Sequence, residues 1–111
     1  MDIAFRTRKL QKICSEEKAG IRELGPESAR KLRARMADLR AAPTLEHLRN
    51  LPGRLHQLTG DRKGQLSLDL KHPYRLLLVP ADDPPPTKPD GGLDWSNITA
   101  ITIIDIEDTH G

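Results

Sequence analysis

His56, Arg75 and His110 ask for a chemical explanation, together with the glycine-bracketed basic turn Gly60-Asp61-Arg62-Lys63-Gly64-Gln65. An imidazole exchanges protons near neutral pH. Guanidinium and ammonium groups hold negative charge on phosphate oxygens. Cleaving RNA through its own 2′-hydroxyl needs a base for that hydroxyl, cations for the charge building on phosphorus, and an acid for the leaving oxygen. Two histidines, Arg75 and the Arg62/Lys63 pair supply every part without a metal or cofactor.

Singly, each residue has an ordinary reading. A lone strand histidine is most often a surface or hydrogen-bonded one. Arg75 fits a cross-strand pair with Asp69. Arg62 and Lys63 suit a solvated hairpin tip, and His110 is the penultimate residue, disordered by default. Competing chemistries leave no trace: the chain has no GxxxxGK[ST] loop, no HExxH, no GxSxG and no glycine-rich dinucleotide turn. Asp82, Asp83, Asp90 and Asp94 match no calcium loop and fall in a proline-rich stretch.

The elements that must position these groups are legible. Met1 to Arg6 alternates like a short strand. Thr7 suits an N-cap, with Leu10, Ile13 and Cys14 at helical spacing after it. Ser15-Glu16-Glu17 restarts a helix that stops at Gly25, and Pro26 opens another. From Glu27 to Ala42 the stripe Ala29, Leu32, Met36, Leu39 faces a core, while Arg30, Lys31, Arg33, Arg35 and Arg40 face outward. Pro43 ends that helix, and Thr44 caps a last short turn.

From residue 53 the period becomes two. His56 points away from the side of Leu55; Leu66, Leu68 and Leu70 alternate with Ser67 and Asp69. Tyr74 to Val79 is the most apolar strand, and Ile98 to Glu107 gives the last. Between them Pro80 to Asn97 reads as a long loop, pinned near its end by Trp95. One domain follows, residues 1–111: an α+β fold with an N-terminal strand and helices packed on a small antiparallel sheet.

Composition narrows the class. With three aromatics (Phe5, Tyr74, Trp95), the core of this 111-residue chain must be aliphatic. Residues 1–63 hold 15 Lys/Arg against 8 Asp/Glu, and residues 64–111 hold 3 against 8. A basic face for an anionic partner is the functional reading, and solvated helix faces are the ordinary one. Cys14 alone excludes an internal disulfide and reads as a buried, inert thiol. No apolar run spans a membrane and no signal pattern opens the chain, so a cytoplasmic protein without a membrane partner is expected.

The run from Gly53 to Leu70, GRLHQLTGDRKGQLSLDL, followed by His72-Pro73-Tyr74-Arg75, resembles the RelE/HigB-like toxins of bacterial type II toxin–antitoxin modules. The ending Ile104-Asp105-Ile106-Glu107-Asp108-Thr109-His110-Gly111 is similar to that family's terminal strand. The resemblance implies a RelE-like fold and a ribosome-dependent endonuclease that cuts messenger RNA. It also implies restraint by a HigA-like antitoxin with a helix-turn-helix domain. By position it implies His56, Arg75, Asp108 and His110 as catalytic residues, with Arg54, Arg62 and Lys63 contacting RNA. Two positions depart from the pattern. Thr109 stands where the family has a tyrosine, and Thr59 where it commonly has a lysine; the Pro80–Asn97 loop is also an addition. A catalytically weakened relative that binds an antitoxin or RNA is therefore a second reading, and a gyrase-directed toxin of the ParE branch a third.

Overall fold

The computed structural model describes residues 1–109. Strand β1 (Asp2–Phe5) leads into helices α1 (Arg8–Ser15), α2 (Glu17–Leu24) and α3 (Pro26–Ala41). The Thr7 hydroxyl caps α1 by accepting the Leu10 N–H at 3.1 Å. Gly25, at φ +84°, ends α2, and Pro26 opens α3. A 3₁₀ turn (Leu45–Leu48) then carries the chain to β2 (His56–Gln57), a second 3₁₀ turn (Gly60–Arg62), β3 (Leu66–Asp69) and β4 (Tyr74–Pro80). A third 3₁₀ turn (Trp95–Asn97) precedes β5 (Ala100–Asp108).

The sheet order is β1-β5-β4-β3-β2. Strands β2 to β5 pair antiparallel, as expected for a meander. β1 departs from a purely antiparallel sheet: it lies parallel to β5, with Ile3 opposite Ile101. The cause is topological. The helices carry the chain to the far edge of the sheet, and the meander back delivers β5 beside β1 in the same direction. A bulge leaves Ile104 as the extra residue of β5, since Leu77 faces Asp105 while Leu78 faces Ile103.

One sheet face meets the helices. Leu32, Met36 and Leu39 from α3 share a fully buried core with Leu66, Leu68, Leu76, Leu78, Ile101 and Ile103. Each such side chain contributes on the order of 1.5–3 kcal/mol by leaving water. Gly53 lets β2 and β3 close onto α3. At φ +107°, a Cβ there would stand 2.8 Å from Leu68 Cδ1 and 3.0 Å from Arg35 Cδ. Its carbonyl accepts the Asp69 N–H at 2.6 Å.

The long segment before β5 has structure of its own. Thr87 bridges to Leu93, Asp94 caps the turn at Trp95–Asn97, and the buried Trp95 ring lies under the Arg49 guanidinium at 4.3 Å. Among the described residues no helix is long and apolar enough to cross a membrane.

Candidate nucleic-acid site

Strand alternation decides what shares the outer sheet face. His56 pairs with Ser67, Ser67 with Leu77, Asp69 with Arg75, and Arg75 with Glu107. Directly opposite residues project to one side. This row therefore lies on the face away from Leu66, Leu68, Leu76 and Leu78.

At the β3–β4 hairpin end of this face is a concavity of about 290 Å³. It is lined by Arg54, His56, Asp69, His72, Arg75 and Thr109, with Leu70, Pro73 and Tyr74 around them. His56 and Arg75 thus open onto one space. The His56 Nδ1 lies 2.8 Å from the Arg54 carbonyl oxygen. A carbonyl only accepts, so Nδ1 carries the hydrogen and Nε2 of the neutral ring keeps its lone pair. Arg54, a non-glycine residue with positive φ (48°), turns its backbone to present that carbonyl.

Charges along the face alternate. The Arg54 Nε donates to Asp69 Oδ2 at 2.8 Å, and the Arg75 Nε donates to Glu107 Oε2 at 2.6 Å. The Arg62 Nη2 donates to the other Glu107 oxygen. Arg75 faces Asp69 across the strands, yet its ion-pair partner is Glu107 on the next strand. Arg62 reaches Glu107 from the Gly60–Arg62 turn, and Ser67 and Leu77 are buried on this otherwise polar face. Most of these groups remain partly exposed, so each pair contributes little to stability alone. Their effect is orientation.

The other residues singled out in the sequence lie elsewhere. Lys63 is exposed at the end of the Gly60–Arg62 turn and lies outside the lining, as does Arg62. Asp108 faces Tyr74 on the helix side and lines a separate groove. His110 lies outside the described residues. Thr109 does line the concavity: its N–H and its hydroxyl both donate to the Pro73 carbonyl at 2.8 Å. Sequence reasoning missed Glu107, although the alternation Asp105, Glu107 in the last strand was a readable signal. No group of three or more potential metal ligands exists among the described residues.

The separate groove, about 600 Å³, runs between α1, α2 and the second half of β5. Leu10, Ile13, Leu24, Tyr74 and Ile106 give it an apolar floor, and Arg6, Lys9 and Asp108 stand around it. Strand β1 ends opposite Ile103, so the last five residues of β5 have a strand neighbour on the β4 side alone. There the Ile106 N–H is taken at 2.8 Å by the Asp105 carboxylate.

No protein-family model and no curated protein matches the chain. Among solved structures it is similar to a YoeB/ParE toxin from Agrobacterium tumefaciens, with a TM-score of 0.59. That likeness covers 97% of this chain and 98% of the other at 10% sequence identity. It is a likeness of fold, in the strand–helices–meander order and the five-stranded sheet alike: the chain has the RelE/ParE-like toxin fold.

Proposed function

We propose that this chain is the toxin of a bacterial type II toxin–antitoxin module and acts in the cytoplasm as a ribosome-dependent messenger RNA endonuclease. One observation carries the reading: His56, with Nε2 available as a base, and Arg75 open onto the same concavity. In this mechanism His56 Nε2 takes the proton of the 2′-hydroxyl, whose oxygen attacks the adjacent phosphorus. Arg75 stabilises the charge that gathers on the phosphate oxygens. His110, oriented by Asp108 as the family resemblance implies, returns a proton to the departing 5′-oxygen. Arg54, Arg62 and Lys63 hold the RNA backbone. A HigA-like helix-turn-helix antitoxin restrains the protein by covering the apolar groove beside β5.

The test is tightly controlled expression in a bacterial host, following growth and transcript integrity. Arrest with cleaved transcripts is expected, and Arg75→Ala should lower cleavage about 10²–10³-fold, the usual scale for losing one transition-state cation or donor. Unimpaired growth with folded protein present argues against the nuclease, and an equally toxic Arg75→Ala variant removes Arg75 from it.

A second reading, a catalytically weakened binder of antitoxin or RNA, is favoured by Thr109. Its hydroxyl is engaged with Pro73, and it brings no ring to the concavity. Thr109→Tyr combined with Thr59→Lys discriminates. A large gain in transcript cleavage favours the weakened relative. No gain, with wild-type cleavage already strong, favours the toxin.

A further inference from the structure

Glu107 is held from both sides by cations. Oε1 accepts from Arg62; Oε2 accepts from Arg75 Nε and lies 2.6 Å from Arg75 Nη2. Its side chain is only 20% exposed, so the carboxylate needs those partners. With Nε and Nη2 committed to Glu107, Arg75 retains Nη1 and the second hydrogen of Nη2. That is the edge of a guanidinium that takes two oxygens of a phosphate. Arg75 lines the concavity, so this edge is the one available to an anion held there. Arg62 grips the opposite oxygen and fixes the carboxylate, and with it the plane of the guanidinium. Two cations on one carboxylate leave the group net positive, so the pairing does not cancel attraction for an anion.

We propose that Glu107 is a positioning residue that sets the plane of Arg75 for bidentate contact with a phosphodiester, with Arg62 as its brace. The proposal rests on the reading of the concavity as an RNA site. Glu107 touches no substrate; it acts through Arg75 alone.

A double-mutant cycle tests it, using a single-stranded 2′-O-methyl oligonucleotide, which binds but offers no nucleophile for cleavage. Affinity and thermal midpoint are measured for the wild type, Arg75→Ala, Glu107→Gln, both together, and Glu107→Asp. Arg75→Ala should weaken binding about 10-fold or more, in keeping with one lost charge-assisted contact. Glu107→Gln should weaken it about 5-fold, and Glu107→Asp should recover part of that loss. In the Arg75→Ala background Glu107→Gln should add no further loss, because a residue that acts through another cannot be additive with it. Undiminished or tighter binding by Glu107→Gln overturns the positioning role, as do losses that multiply in the double variant. If Arg75→Ala binds as the wild type does, the RNA reading of the concavity falls, and the positioning role with it. If Glu107→Gln fails to fold, the comparison passes to Glu107→Asp: full wild-type affinity there, despite the shortened reach to Arg75, overturns the role.

Discussion

At the scale of single residues, hydrogen-bond chemistry assigns roles that residue types leave open. By sequence alone His56 reads equally as an acid, a base or a surface histidine; its contact with the Arg54 carbonyl fixes the hydrogen on Nδ1 and leaves Nε2 to accept. Cys14 shows the opposite case, a group whose surroundings remove it from chemistry. Burial pushes its thiol from an ordinary 9.0 up to about 11, and the nearby Arg40 charge offsets only part of this. The linkage has a definite sign. In the unfolded chain the thiol ionises first, so its contribution to stability is complete below about pH 9 and is lost as pH rises through about 11. The shift corresponds to about 2–3 kcal/mol at the alkaline limit. Urea unfolding of the wild type and Cys14→Ala should therefore converge in stability across that window, relative to their difference at pH 8. A difference that stays constant from pH 8 to 11 would remove the burial effect.

At the scale of elements, β5 carries more of the design than any other segment. It pairs with β4 along nearly its whole length, its first four residues pair with β1 as well, and its last five have no strand on that second side. An unpaired strand edge invites another strand, and a charge on it discourages one. Asp105 supplies that charge and occupies the exposed Ile106 N–H. Asp105→Val should free the N–H and add β propensity there. The expected outcome is concentration-dependent self-association in sedimentation or light scattering, with little loss of the monomer's thermal midpoint. A variant that stays monomeric at high concentration would mean the edge is shielded by other means.

The strands and their facing were legible in the sequence because period two is a local property, and so were the helices, through Thr7, Gly25 and Pro26. Register was not. Nothing local says that Asp69 binds Arg54 while Arg75 binds Glu107, because that choice depends on which strands become neighbours and on a turn folding back over the face. The parallel β1–β5 pair was hidden for the same reason, since its partners are almost a hundred residues apart.

At the scale of the whole molecule, the basic residues of 1–63 are spread over several surfaces, two of which matter for an anionic partner. Arg54 and His56 belong to the outer sheet face, whereas Arg30, Lys31 and Arg40 ride on α3, across both the sheet and the helix layer. Arg33 pairs with Glu17 at 3.0 Å and Arg35 with Asp38 at 3.4 Å, while Arg30, Lys31 and Arg40 have no ion pair among the described residues. None of Arg30, Lys31 and Arg40 lines the concavity, and a partner that surrounds the protein can touch both surfaces. If the partner is the ribosome, the two surfaces separate experimentally. Replacing Arg30, Lys31 and Arg40 together with Gln should leave binding of a short oligonucleotide within about twofold, because none of the three lines the concavity and solvent-exposed charges are screened at ordinary ionic strength. The same variant should bind ribosomes more weakly, with the log–log salt slope flattened by about 2, the scale of three lost phosphate contacts at roughly 0.7 each. Equal losses on both ligands would mean that the basic helix and the concavity form one continuous surface. Unchanged ribosome binding would leave α3 as a solvated helix face and confine recognition to the sheet.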